Sequence, residues 1–301
     1  MFAVSTSWNA WRHSQGQDIV NEIKELGFNQ VELNFNLNST IVEQIHSLTK
    51  QGLVDVVSVH NFCPIPKGFT RKQASPDMLS LAASDEQERN QAVNYTKMSV
   101  DTASKLGARV LVLHLGRVEV EEKIRTLASC INSHALQDCD SLKLKMQKER
   151  KLKAGRFFAQ ALKSLEQLCP YAQRRKVKLG IENRYYFSEI PSIEEMEIIL
   201  KTFPEPALYY WHDVGHAQVY ENLGFLKHKT ILDRFSQRMI GIHLHDIEGI
   251  DDHRAPLKGK FDFRLLKKYV NENMLLVLET HHPAKAQDII RGKEYLEKLF
   301  A

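Results

Sequence analysis

The sequence has few cysteines, and their spacing fits neither of the usual roles of clustered cysteines. Four cysteines stand among 301 residues, and no two of them form a C-x-x-C pair. A zinc finger or a disulfide framework would need closer, repeated spacing. The four are Cys63, Cys130, Cys139 and Cys169. We therefore expect reduced thiols, as is typical of a cytoplasmic protein.

The sequence also lacks a long apolar run and a strong charge imbalance. No stretch of about eighteen residues is free of charge, so no transmembrane helix is predicted. The first residues, MFAVSTSWNAW, do not have the basic and then apolar pattern of a signal peptide. The 41 basic residues exceed the 37 acidic ones too slightly to indicate a nucleic-acid partner. These absences predict a soluble, cytoplasmic protein without a membrane partner, and they leave a homo-oligomer open.

What the sequence does contain is a repeated alternation of apolar strands and amphipathic helices. The predicted strands are 2–8, 30–35, 54–60, 109–116, 177–183, 208–216, 239–246 and 274–280. The predicted helices are 17–26, 40–50, 85–106, 151–168, 192–202, 223–237, 263–270 and 286–300. A charged insertion of irregular pattern, at about 119–150, follows strand four and leads into the helix there.

Eight strand and helix units without a linker predict an α/β fold, a (β/α)8 TIM barrel, as a single domain over 1–301 with a helical insertion after strand four. An open doubly wound sheet is the alternative. It is disfavoured because no glycine-rich turn follows strand one, and because six or seven strands normally complete such a sheet.

Imidazole and carboxylate groups stand at or near the ends of six successive predicted strands. In a barrel these ends share one mouth, where catalytic residues collect. Taken singly, each residue could be an ordinary surface or core group. Together, neutral imidazole and ionised carboxylate are the donors that a divalent metal takes. The residues are His60, His114, Glu182, Asp213, His216, His243 and Glu279. The sequence therefore predicts a metal site at the mouth.

These residues resemble a known superfamily, the xylose isomerase-like TIM barrels, through the sequences IEN, D-x-x-H, H-x-x-D, a later D-x-H and a final E-T. The superfamily includes sugar isomerases and epimerases and the endonuclease IV type of nuclease. The resemblance implies a metal quartet of Glu182, Asp213, His243 and Glu279. It further implies that His216 is an added ligand or a substrate contact, and it leaves His245 as the second choice on strand seven. In the nuclease branch, extra metals are held by residues that match His60, His114, Asp251 and His253.

Residues near the strand ends provide candidate substrate contacts. Aromatic side chains could form an apolar wall for a sugar ring, or simply pack in the core. Arg184 could bind a phosphate or carboxylate of the substrate, or form an ion pair. The predicted contacts are Trp8, Phe62, Arg184, His245 and Trp211.

Asn183 is expected to hold Glu182 in place and Asp246 to orient an imidazole, with loop capping as the alternative for both. The basic segment 142–156 is interpreted as a solvated helix face or as a lid.

The function expected from this set is a divalent-metal-dependent isomerase or epimerase. Its substrate would be a small sugar, a sugar phosphate or a polyol-derived ketone, and Glu182 and Glu279 would carry protons through an enediolate. Manganese, zinc, cobalt and magnesium all suit the donors. A multinuclear phosphodiesterase of the endonuclease IV type, with up to three zinc ions, is the alternative, and a lyase or a metabolite-binding barrel stays open.

Two features weigh on this choice. The early mouth sequence ELNFNLNST has no basic residue with which to hold a nucleic acid. The sequence PLKGK stands where the superfamily commonly has P-G-x-G-E, which leaves the substrate contacts of that loop open.

Overall fold

Eight parallel strands close into a barrel in the computed structural model, which describes residues 2–134 and 136–301. Each strand pairs with its neighbour in sequence, and Phe2 of the first strand pairs with Leu276 of the last. The strands are β1 Phe2–Ser5, β2 Gln30–Leu33, β3 Asp55–His60, β4 Val110–Leu113, β5 Lys178–Glu182, β6 Leu208–Asp213, β7 Met239–Leu244 and β8 Leu275–Leu278. The predicted (β/α)8 barrel is confirmed.

Nine α-helices surround the barrel in the described part of the chain. They are α1 Gly16–Glu25, α2 Ser39–Lys50, α3 Glu86–Leu106, α4 Ile124–Asn132, α5 Leu136–Arg174, α6 Ile193–Thr202, α7 Val214–Asn222, α8 His228–Phe235 and α9 Ala286–Phe300. Local chemistry fixes several ends. Ser192 and Glu195 form a reciprocal capping box at the start of α6. Gly107 ends α3 at a φ of 75°, a left-handed conformation that glycine adopts without steric cost.

Two connections differ from the sequence prediction. Strand six was expected to run to residue 216 and to be followed by one helix, 223–237. The strand ends at Asp213, because the Asp213 carboxylate accepts the backbone N–H of His216 and caps α7 there. A second helix, α8, then completes the connection. The helix predicted at 263–270 is only a 3-10 turn, Phe263–Leu266.

The helical insertion after strand four is confirmed, but the start of its long helix differs from the prediction, because residues 136–150, expected to be irregular, are the first part of α5. This helix is 39 residues long. Its Lys, Leu, Glu, Gln and Met residues are good helix formers, and its buried positions Met146, Arg150, Ala154 and Phe157 recur at helical spacing. The insertion is thus helical over most of its length.

A disulfide joins α4 to α5, so the expectation of four reduced thiols is wrong for Cys130 and Cys139. Their Cα atoms are 5.7 Å apart. The pair has no recognisable spacing in the sequence, and only the helical hairpin brings it together. Cys63 and Cys169 are buried free thiols, and burial raises the pKa of the Cys169 thiol to about 12.

Short hairpins and helices lie over the C-terminal ends of the strands. Gly116–Arg117 pairs antiparallel with Glu189–Ile190, and Asp246–Glu248 pairs antiparallel with Asp251–Arg254. Residues of α4 and α5 pack with Tyr185 and Ile250 in a separate apolar cluster. These segments surround the mouth of the barrel. Within the described ranges, every helix is too short or too polar to cross a bilayer.

Candidate active site

Four side chains converge at the C-terminal end of the barrel. Glu182 and Asp213 end β5 and β6, His243 is the penultimate residue of β7, and Glu279 follows β8 directly. One donor atom from each lies within 4.8 Å of the donor atoms of the other three. All four side chains are buried. Three buried carboxylates beside one imidazole are a donor set that fits a divalent metal ion.

The ring of His243 lies at the centre of this group. Its Nδ1 is 2.8 Å from Oε1 of Glu182 and 2.8 Å from Oε2 of Glu279. Burial alone would lower the pKa of His243, but the charges of Glu279, Glu32 and Glu182 raise it well above its usual value. The same carboxylates would stabilise a divalent cation placed beside Nδ1.

His245, the alternative ligand on this strand, belongs to a neighbouring group. Its Nε2 is 2.9 Å from Oδ2 of Asp213, and its Nδ1 accepts the backbone N–H of His253 at 2.9 Å. Both ring nitrogens are thus engaged with protein groups, and the ring is fully buried. His245 is therefore not placed to contact a substrate, and His243 is the better candidate ligand.

Glu182 joins the quartet to two further histidines that the sequence singled out. Its Oε2 is 2.7 Å from Nε2 of His114 and 3.4 Å from Nε2 of His60. Burial would raise the pKa of Glu182, but the charge of His243 and hydrogen bonds from His114, His243 and His60 lower it well below its usual value. Both oxygens of Glu182 are consequently committed to imidazoles.

Asp77 was missed by the sequence reasoning, although its partly buried side chain lies beside this group. It lies in the long loop between β3 and α3, where no periodic pattern marks a functional residue. Its Oδ2 is 3.4 Å from Nδ1 of His114 and 3.4 Å from Nη2 of Arg184. Burial would raise the pKa of Asp77, but the charges of His114 and Arg184 lower it.

Arg184 was predicted to bind substrate, but the structure buries it in an ion pair. Its Nη2 is 2.6 Å from Oε1 of Glu189, and Glu182 and Asp77 are within 4 Å of the guanidinium. Only 4% of Arg184 is exposed. Burial would lower the pKa of Arg184, but Glu189, Asp77 and Glu182 raise it. Its cationic head is already neutralised by the protein, so it is not a free anion site.

A third cluster contains His216, Asp252 and His253. His253 Nδ1 is 3.0 Å from Oδ1 of Asp252, and His216 Nε2 is 3.8 Å from Oδ2. The sequence had indicated Asp251, but its side chain is 70% exposed and pairs with Arg254. Strand alternation would place residues 251 and 253 on one face, but the φ of His253 is 53°, which breaks the alternation. We therefore transfer the proposed role from Asp251 to Asp252.

The aromatic residues predicted as a sugar-binding wall are buried in the protein core. Trp8 donates its Nε1–H to the carbonyl of Ala284 at 2.8 Å and is 2% exposed, and Phe62 is 1% exposed. Trp211 fills the barrel interior against Gly241, where any Cβ would collide with its ring. The structure does not support these three as substrate contacts.

Trp11 is an exposed tryptophan that the sequence reasoning did not single out, and it contacts His282, one of the residues that line a cavity at the mouth. It is 52% exposed, and its ring meets the ring of His282 edge on at 4.8 Å.

Asn183 and Asp246 were expected to support other site residues, and neither makes the expected contact. Asn183 binds both backbone groups of Asp213: its Oδ1 accepts the N–H at 2.7 Å and its Nδ2 donates to the carbonyl at 3.0 Å. It thus positions Asp213 and not Glu182. Asp246 accepts the backbone N–H groups of Ile247 and Phe261, so it ties down a loop and does not orient an imidazole.

The basic segment 142–156 is mainly an exposed face of α5. Lys145, Lys148, Lys151 and Lys153 are exposed, as a solvated helix face requires. Arg150 is the exception, because it is buried and its Nη2 is 2.7 Å from Oε2 of Glu195.

A cavity of about 520 Å³ lies beside the candidate metal groups. Asp252, His253 and His281 line it, and the same residues take part in candidate metal groups. His281 was missed by the sequence reasoning, although it follows Glu279 by two residues. Its ring stacks on that of His253, with 3.9 Å between the ring centroids. Glu279 does not line the cavity itself, but its Oε2 is 3.7 Å from Nε2 of the lining residue His253.

Comparison with known proteins places the chain among barrels of one type. The model of the xylose isomerase-like TIM barrel family matches residues 20–299. A search of curated protein sequences finds no significant match.

Solved structures with the same fold include three sugar epimerases or epimerase-like proteins. A D-tagatose 3-epimerase-like protein is 19% identical, with 99% of this chain and 96% of that chain covered and a TM-score of 0.68. An L-ribulose 3-epimerase is 11% identical, with 99% and 94% covered and a TM-score of 0.71. A 3-keto-D-glucoside 4-epimerase from E. coli is 11% identical, with 99% and 98% covered and a TM-score of 0.67.

Proposed function

Because the chain belongs to the xylose isomerase-like TIM barrel family, we propose that it is a divalent-metal-dependent isomerase or epimerase of a small hydroxylated ketone or sugar. The convergence of Glu182, Asp213, His243 and Glu279 within 4.8 Å carries this proposal. The solved structures of similar fold support it, since they include epimerases of free sugars and of a keto sugar.

The four converging residues would hold the metal ion. When bound, the ion would supply electrophilic polarisation of a substrate carbonyl, which acidifies the neighbouring C–H bond. Manganese, cobalt, zinc and magnesium all suit a set of three carboxylates and one imidazole. The contribution of the protein is then to move the proton.

The two glutamates have unequal freedom to move a proton. Glu182 uses both oxygens, Oε1 toward His243 and Oε2 toward His114 and His60. The ion pairs of Glu279 with His243 and His253 both use Oε2. Within the described residues, Oε1 of Glu279 enters no such contact, so it is the oxygen best placed to accept a proton. Glu182 contacts the same Nδ1 atom of His243 through its own Oε1, and it would be the second carrier that epimerisation requires once substrate displaces one of its imidazole contacts.

The charges around the cavity favour a neutral substrate over a phosphate ester. Lys258 lines the cavity, and its Nζ is 2.9 Å from Oδ1 of Asp288. Arg254 also lines it and pairs with Glu248 and Asp251. Both cations are thus partly neutralised by carboxylates, whereas phosphate sites present uncommitted donors. We therefore propose an uncharged polyol-derived ketone or ketose as the substrate class.

A phosphodiesterase is the second candidate function. It is favoured by two further donor groups, His60 with His114 and Glu182, and His216 with Asp252 and His253. Two or three zinc ions in such groups are typical of enzymes that cleave phosphodiesters.

One experiment distinguishes the two candidates. Metal-depleted protein is reloaded with Mn²⁺, Co²⁺, Zn²⁺ or Mg²⁺ and incubated in D₂O with ketoses, inososes and their phosphates. We expect metal-dependent exchange of a carbon-bound proton next to the carbonyl, seen by NMR. Strand cleavage of an abasic-site duplex, lost in His114→Ala but kept in the control His46→Ala on α2, would instead make the phosphodiesterase the correct function.

A further inference from the structure

We propose that Glu32, on β2, is a positioning residue that fixes the ring and the tautomer of His243 so that Nδ1 is free to bind a metal ion. This inference rests on the proposed metal site. Glu32 was not singled out by the sequence reasoning, and it belongs to none of the candidate metal groups among the described residues. It therefore acts through His243 and not as a ligand.

The contacts of Glu32 lie on the side of the ring opposite the candidate ligands. Nε2 of His243 is 3.1 Å from both carboxylate oxygens of Glu32. Nδ1 of the same ring faces Glu182 and Glu279, both at 2.8 Å. Each nitrogen thus has a distinct set of partners.

The tautomer follows from these contacts. A neutral imidazole has one N–H group and one bare nitrogen, and a carboxylate can only accept a hydrogen bond. With a metal ion bound at the quartet, the N–H must lie on Nε2, where Glu32 accepts it, and the lone pair must lie on Nδ1. This is the carboxylate, histidine and metal arrangement that orients ligands in known metal sites.

Glu32 is itself held rigidly. It is fully buried, and the Oγ–H of Ser58 on β3 donates to its Oε2 at 2.8 Å. The pairing of β2 with β3 shifts register between Val31 and Glu32, and this irregularity brings Glu32 opposite Ser58. Such irregularities commonly redirect a side chain. The local strand geometry thus holds the carboxylate against both Ser58 and His243.

Because Glu32 is buried, its ionised carboxylate costs free energy, and this cost argues that the contact with His243 has a role. An ionised carboxylate in the barrel interior loses hydration and persists only where partners compensate. The partners are one hydroxyl and one imidazole, so removal of the carboxylate leaves the Nε2–H of His243 without an acceptor. We expect the ring to rotate or change tautomer, and the metal affinity to fall.

The test measures metal affinity directly. Metal-depleted wild type, Glu32→Ala, Glu32→Gln and the control Glu195→Gln are titrated with Mn²⁺ and Co²⁺ by calorimetry. Glu195 is the matched control because it is also a buried carboxylate, paired with Arg150 away from the quartet. We expect Glu32→Ala to weaken binding by about 10-fold to 100-fold, the usual effect of losing such a partner. We expect Glu32→Gln, whose amide oxygen still accepts the N–H, to weaken it less, and Glu195→Gln to leave it unchanged.

A second readout separates positioning from general damage to the fold. In Zn²⁺-loaded protein, the ¹⁵N signals of His243 should show a proton on Nε2 in wild type and in Glu32→Gln, and an altered signal in Glu32→Ala. Affinities of both Glu32 variants within twofold of wild type would overturn this inference and leave the proposed function intact. Absence of divalent binding by the wild type would overturn both.

Discussion

Replacing Glu279 with glutamine should lower turnover by about 100-fold or more, the usual worth of a general base. The amide oxygen can still contact a metal ion, but the amide cannot take up a proton at neutral pH. Oε2 of Glu279 already contacts His243 and His253, so the substitution keeps the side chain in place. Exchange of the substrate's carbon-bound proton with solvent deuterium should fall together with turnover.

The control for this variant is Glu272→Gln, an exposed glutamate in the loop before β8. It should have wild-type turnover, exchange and metal affinity. Metal titration of Glu279→Gln shows whether the ion is still bound when turnover is measured. If the variant retains the metal and exchanges protons at the wild-type rate, Glu279 is only a ligand and the two-glutamate mechanism is wrong.

Replacing Arg184 with methionine should lower the free energy of unfolding by about 3–5 kcal/mol, the usual cost of breaking a buried ion pair. Glu189, which is 1% exposed, would be left as an uncompensated buried carboxylate. Asp77 and Glu182 would lose a nearby positive charge as well. Denaturant unfolding monitored by circular dichroism measures the effect.

Two further variants test the cause of this loss. Arg184→Met combined with Glu189→Gln should recover part of the stability, because the orphaned charge is removed. Arg175→Met removes an exposed pair with Asp101 and should change stability by no more than about 1 kcal/mol. An Arg184→Met protein with wild-type stability and a raised KM would instead restore the substrate-binding role that the sequence suggested.

The barrel could be predicted from sequence because its strands are buried on both faces. Segments such as VLVL and LLVL are continuous apolar runs, and each is followed directly by a polar residue, His114 or Glu279. In a barrel, parallel strands bring their ends to one mouth, so the convergence of these polar residues followed from the fold alone. The placement of Glu182, Asp213, His243 and Glu279 as neighbours agrees with that reasoning.

The remaining site residues depend on geometry that strand patterns do not encode. Glu32 stands between Val31 and Leu33 in a buried strand, the same signal that marked Glu182, but it is one residue before the end of β2. Asp77 reaches the site from a long loop, and beside the positive φ of His253 it is Asp252, and not Asp251, that contacts the imidazole. The aromatic residues were misassigned because a tryptophan near a strand end can fill the barrel interior, as Trp211 does.

The central claim is that Glu182, Asp213, His243 and Glu279 together bind one divalent metal ion. Crystals of the protein loaded with Mn²⁺, measured at the manganese absorption edge, test it most directly. The claim predicts an anomalous peak with an oxygen or nitrogen of each of the four side chains at about 2.0–2.5 Å. A metal-loaded structure in which any two of the four side chains point away from the ion would contradict it.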